Sequence, residues 1–186
     1  MSRARRPNRR HFLTTLAAAG GVALSQRRVQ ARAHPPPLPP AHHLALRHLH
    51  TDEHLAIDYA VSRRYKPEAL AAVNHLLRDF RTGDVHAIDP SLLDLLHTLA
   101  ATVETTRPFE VISGYRSPVT NAALRRRSEG VAAKSLHMVG QAIDIRLGDV
   151  RLDLVRAAAI DLARGGVGYY PASNFVHVDT GRIRRW

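Results

Sequence analysis

Two short segments near the end of the chain, "QAIDIRL" (141–147) and "FVHVDTG" (175–181), alternate their side chains strictly. A strand sends successive side chains to opposite faces, so a period of two with one apolar phase marks a strand lying on a core. Ile143, Ile145 and Leu147 are the core phase of the first; Val176 and Val178 are that of the second. The other phase then faces away from the core, toward a surface or cleft. It carries Asp144 in one strand and Phe175, His177 and Asp179 in the other. If the two strands are neighbours, Asp144 and His177 aim at a common point. His137, in the loop before the first strand, can close over it.

The chain upstream suits a single domain with helices early and strands late. "LALRHLH" and "HLAIDYAV" flank Thr51-Asp52-Glu53 as a β-hairpin. Pro67 opens a helix over "PEALAAVNHLLRDF", with acid in its first turn and apolar residues at helical spacing. "RTGDVHAI" is a loop with room for a short strand. "DPSLLDLLHTLAATV" is a second helix, with Asp89 as N-cap and Pro90 at its first position. "FEVISGY" is a buried strand, "SPVTNAALRRR" a third helix, and "RLDLVRAAAIDLARG" a fourth. "GVGYY" pairs with "FVHVDTG" across Pro171. The expected class is α+β, with a central, mainly antiparallel sheet packed with helices.

Of the 186 residues, the first 33 hold eight arginines and no acid. The net charge of +11 is thus mostly a property of this leader; the rest carries 19 basic against 16 acidic residues. Nucleic acid is not an expected partner, since a basic face is the footprint it requires. Within the leader, the apolar run Phe12 to Leu24 has 13 residues, short of the ~20 needed to span a bilayer. Ala31-Arg32-Ala33 is a small-x-small cleavage pattern. Residues 1–33 therefore read as a signal peptide, 34–43 as a proline-rich linker and 44–186 as the folded domain, with no lasting membrane anchor. Arg9-Arg10 before His-Phe-Leu resembles the twin-arginine signal, which exports proteins already folded. The expected location is the periplasm.

Cysteine is absent, so thiolate metal chemistry is excluded and a zinc site must use imidazole and carboxylate. His137, Asp144 and His177 with one open position are what a catalytic zinc ion requires. On spacing alone a second reading stays open: an Asp paired with an arginine, and two separate buried histidines.

The wider pattern Ser135-x-His137-x-x-Gly140-x-Ala142-x-Asp144 resembles the signature of the VanX-type D-Ala-D-Ala metallopeptidases. Their superfamily also holds lysostaphin-type enzymes and the hedgehog signalling domain. The nearer resemblance is to the murein endopeptidase K (YcbK-like) group of exported peptidoglycan hydrolases. It is carried by "HLLRDFRTGDVHAIDPSLLDLL", "FEVISGYRSPVTNAALRRRS" and "GGVGYYPASNFVHVDTGRIRRW". The resemblance implies a hedgehog/D,D-peptidase-like fold and a zinc-dependent endopeptidase. The implied substrate is a peptide cross-link of peptidoglycan, diaminopimelate to diaminopimelate or D-Ala to diaminopimelate. It implies His137, Asp144 and His177 as zinc ligands. It makes Arg116, in Ser113-Gly114-Tyr115-Arg116, a substrate-facing guanidinium that stabilises the oxyanion, and Ser113 a substrate-binding residue. Ser135 either holds the substrate peptide or braces His137. VanX-type members carry a glutamate base three residues before the last ligand; here Asn174 stands there. Asp179 is then either the base or the partner that orients an imidazole. The competing functions are a D,D-carboxypeptidase or dipeptidase on stem peptides, and a noncatalytic zinc-containing binding module.

Replacing Arg9 and Arg10 by lysine is expected to leave the precursor in the cytoplasm, as read by cell fractionation. Unimpaired export of that variant would contradict the twin-arginine route.

Overall fold

The computed structural model describes residues 41–62, 64–128 and 130–186. The expected signal peptide and the linker as far as residue 40 lie outside the described residues. Strands β1 (Ala41–His48) and β2 (His54–Val61) form the expected antiparallel hairpin, turning through Asp52 at φ 57°. Because β1 begins at Ala41, residues 41–43 are strand rather than spacer. The His42 ring stacks on His97 at 4.8 Å and His43 Nδ1 lies 2.9 Å from Asp58. A two-residue strand, β3 (Arg64–Tyr65), extends this edge.

Helix α1 runs from Pro67 to Leu76, shorter than the periodicity suggests. Its apolar pattern continues, but the backbone is claimed by another segment. The Leu77 carbonyl accepts from Tyr115 N–H at 2.7 Å, and buried Asp79 accepts from Ser117 N–H and Oγ–H at 2.9 and 2.7 Å. These contacts tie the end of α1 to the segment that carries Arg116. The stretch 81–88 stays a loop without a strand, its turn closed by Gly83 N–H donating to the Asp79 carbonyl at 2.7 Å. Helix α2 (Pro90–Thr102) starts as expected, with Asp89 accepting from Ser91 N–H.

Strand β4 (Phe109–Ser113) leads into α3 (Pro118–Arg125), whose cap Ser117 accepts from Thr120 N–H. A short 3₁₀ turn, Leu136–Val139, precedes β5 (Ala142–Arg146). Gly140 joins them at φ 68°, and a Cβ there would lie 2.1 Å from the Ala87 carbonyl oxygen, so no side chain fits. Helix α4 (Leu152–Leu162), β6 (Gly166–Tyr170), β7 (Phe175–Asp179) and β8 (Arg184–Arg185) complete the chain.

The sheet order is β3-β2-β1-β4-β5-β7-β6-β8. Its pairs are antiparallel except β1 with β4 and β6 with β8. The fold is therefore α+β with a mainly antiparallel sheet, as the order of elements implies. Leu92, Leu96 and Leu99 of α2 and Val155 of α4 pack with Phe109, Val111, Ile143, Ile145, Val176 and Val178 in one buried cluster. The core phase of each late strand is the one the alternation assigns. The opposite phase is left free to build a site.

Candidate metal centre

Three cross-strand pairings set the site. Ser113 of β4 stands opposite Asp144 of β5, Asp144 opposite His177 of β7, and His177 opposite Gly168 of β6. Directly opposed residues bring their side chains within contact, so a carboxylate and an imidazole meet at the centre of the sheet. The 3₁₀ turn brings in His137 from the side. Its Nε2 lies 3.2 Å from His177 Nδ1 and 3.3 Å from Asp144 Oδ1, and His177 Nδ1 lies 2.9 Å from the same oxygen.

These three donor atoms form a nearly equilateral triangle. Bonds of about 2.0–2.1 Å to a tetrahedral ion require donor separations of roughly 3.3 Å. Among the described residues, this is the one group of three or more potential ligands drawn together tightly enough to hold a metal ion. The donor set, two nitrogens and one oxygen, suits zinc.

Each imidazole is held from behind, which selects the nitrogen it presents. His137 Nδ1–H donates to the Gly114 carbonyl at 2.7 Å, leaving Nε2 as the free lone pair. His177 Nε2–H donates to Asp179 Oδ2 at 3.1 Å, leaving Nδ1. Arg116 N–H in turn donates to the His137 carbonyl at 3.1 Å, so the strand end and the turn fix each other.

Asp179 sits behind His177 and not on the cleft surface. It is 0% exposed, and its oxygens accept from Gly166 N–H, Gly181 N–H and both Arg184 Nη groups at 2.7–3.0 Å. Burial alone would raise its pKa. The bonds from His177, Arg184 and the two backbone amides outweigh that and hold it below the usual carboxylate range. Asp144 is likewise held low against its burial, by the two imidazoles beside it. Burial pushes His177 down, but its bonds to the two carboxylates prevail and its pKa is raised.

A cleft of about 300 Å³ opens over the triangle, lined by His137, Asp144, His177, Arg116, Ser135 and aromatic residues among others. Burial lowers the Arg116 pKa, with Asp144 opposing. Arg116 Nη2 lies 3.7 Å from Asp144 Oδ2, and its buried Nε has no partner among the described residues. Ser135 lines the cleft beside His137. Ser113 lies further in, buried, with Arg116 Nη2 at 3.5 Å from its hydroxyl. Asn174 is the left-handed residue (φ 53°) immediately before β7. Alternation alone misses Arg184, because a two-residue strand carries too few positions to show a period.

Comparison with known proteins places these features in a family. A family model described as peptidoglycan L,D-endopeptidase MepK matches residues 39–186. A protein of Escherichia coli K12 with that name is 44% identical over 185 residues, covering 96% of this chain and 97% of that protein. A Haemophilus influenzae protein, named a probable peptidoglycan L,D-endopeptidase MepK, is 39% identical over 180 residues, with 96% and 95% covered.

Asp179→Asn is expected to weaken zinc binding about 10–100-fold, the usual cost of removing a partner that orients a ligand. Competition titration against a chromogenic chelator measures it. Unchanged affinity would contradict the bracing role of the carboxylate.

Proposed function

The chain belongs to the family described as peptidoglycan L,D-endopeptidase MepK, and we propose that it is a zinc-dependent hydrolase of peptide cross-links in peptidoglycan. The observation that carries this reading is the triangle of His137 Nε2, Asp144 Oδ1 and His177 Nδ1 at the floor of an open cleft. The mainly antiparallel sheet with its metal-capable residues on the outer phase supports a hedgehog/D,D-peptidase-like fold. Residues 1–33 act as a twin-arginine signal and residues 41–186 as the periplasmic domain.

When bound, zinc supplies Lewis-acid polarisation of the scissile carbonyl and a water of lowered pKa. The chain's own residues do the rest. His137 and His177 present fixed lone pairs because Gly114 and Asp179 take their other ring hydrogens. Asp144 stays ionised and adds the third donor. Arg116 lines the cleft with its guanidinium, a donor for the oxygen that gains charge as the amide is attacked. Ser135, on the wall next to His137, contacts the peptide. Ser113 supports Arg116 from beneath.

Asp179 is assigned to orientation and not to proton transfer. A base needs an accessible lone pair within reach of the water, whereas Asp179 is fully buried with four donors besides His177. Among the described residues lining the cleft, Asp144 supplies the one side-chain carboxylate.

The two cross-links implied by the sequence differ in stereochemistry. Diaminopimelate to diaminopimelate joins an L centre to a D centre; D-Ala to diaminopimelate joins two D centres. The relatives' name specifies an L,D bond, which favours the first. Purified domain incubated with each dimeric muropeptide is expected to cleave the diaminopimelate–diaminopimelate dimer. Chelation or His137→Ala should reduce the rate at least ~100-fold, and zinc should restore the chelated protein alone. Cleavage that survives both chelation and His137→Ala would contradict the assignment.

A further inference from the structure

The cleft wall built by the end of the chain takes no part in holding the metal. Tyr170, Phe175 and Trp186 line it. The Tyr170 ring stacks on Phe175 with centroids 4.5 Å apart. The Trp186 indole lies 5.3 Å from the His177 ring, with the Arg184 guanidinium 4.9 Å from its centre. The backbone of Trp186 is tied to β6: its N–H donates to the Val167 carbonyl at 3.2 Å, and its carbonyl accepts from Tyr169 N–H at 3.1 Å. Gly168 leaves room for the ring, since a Cβ there would lie 2.7–2.9 Å from indole atoms. Backbone pairing, a cation over the ring and a missing side chain together hold one indole in place.

What that indole does is specific. Its Nε1–H donates to the Tyr170 hydroxyl at 2.7 Å. An indole N–H has no acceptor capacity, so the phenol oxygen must be the acceptor. The phenol hydrogen is therefore turned away from Trp186. Among the described residues, that hydrogen has no acceptor of its own. It belongs to a side chain on the wall of the cleft that also holds Arg116 and the metal-capable triangle.

Resting on the hydrolase reading above, we propose that Tyr170 is a substrate-contacting residue. Its O–H donates to an oxygen of the bound peptide, and Trp186 is the positioning residue that directs it. Water takes the bond in the free protein and a peptide carbonyl or carboxylate replaces it on binding. No covalent step or proton transfer is involved. The sequence "GYYPASNF…RRW" thus carries a recognition element beside the metal ligands, split between β6 and the final residue.

The test uses four zinc-loaded proteins: wild type, Tyr170→Phe, Trp186→Phe and the double variant, assayed on the diaminopimelate–diaminopimelate muropeptide dimer. Both substitutions keep a ring and delete one hydrogen-bonding group. Tyr170→Phe is expected to lower kcat/KM about 10-fold or more, the scale of a lost hydrogen bond to a charged or strongly polarised oxygen. Trp186→Phe is expected to lower it less, and the double variant to be no worse than Tyr170→Phe, because Trp186 acts through Tyr170. Metal content and Tm should stay at wild-type values. A Tyr170→Phe enzyme within about twofold of wild type, or one that has lost metal, would overturn the contact. Losses that multiply in the double variant would overturn the positioning role.

Trp186 is the single tryptophan of the chain, so its emission reports on the cleft independently of turnover. Titration with an uncross-linked stem peptide should give a weaker Kd for Tyr170→Phe than for wild type, and equal values would overturn the proposal. If wild type itself leaves the dimer uncut, the hydrolase reading has failed, and this titration still decides whether Tyr170 contacts a peptide.

Discussion

The register of β5 against β7 is the constraint on which the rest of the site depends. Ile143 stands opposite Val178 and Ile145 opposite Val176, so the buried face locks the pairing. With that register, Asp144 must stand opposite His177 and Ala142 opposite Asp179. A slip of β7 by one residue would turn its valines into the cleft and His177 and Asp179 into the core. The same hydrophobic burial that stabilises the sheet therefore positions the metal-capable groups. Neither task can be altered without the other.

Burying those groups has a cost that the surroundings offset. Asp179 is wholly enclosed, and an enclosed carboxylate stripped of its partner costs about 3–5 kcal/mol. Here Arg184 grips both oxygens and two backbone amides fill the remaining positions. The result is a fixed anion behind His177 that holds the ring's Nε2–H and turns Nδ1 to the cleft. A cation bound among His137, Asp144 and His177 would meet one carboxylate directly and a second through an imidazole. That arrangement would leave net positive charge on the ion, the condition for lowering the pKa of a bound water, and the rigid backing keeps the ligands from reorienting.

Much of this was legible in the sequence because period-two alternation carries its own geometry. "QAIDIRL" and "FVHVDTG" state which residues face the core, and the structure keeps that division at Ile143, Ile145, Val176 and Val178. Helix α2 was legible from Asp89-Pro90, where an N-cap precedes proline. The premature end of α1 was not. It depends on Leu77 and Asp79 bonding to Tyr115 and Ser117 across some 38 positions of chain, a tertiary contact that overrides local periodicity. The seat of Asp179 was also beyond reach. Its strand face was correct, but only the tertiary fold shows that β8 and two glycine amides enclose it. The short strands β3 and β8 left no period to read.

Zinc K-edge absorption spectroscopy of the metal-loaded domain tests the central claim most directly, because it reports the atoms bonded to the ion. Two imidazole nitrogens and a carboxylate oxygen at about 2.0–2.1 Å are predicted, with a further light-atom ligand from solvent. In His177→Ala the spectrum should show one imidazole fewer. A shell of three or four imidazoles, or one that is unchanged in His177→Ala, would place the ion elsewhere and contradict the site.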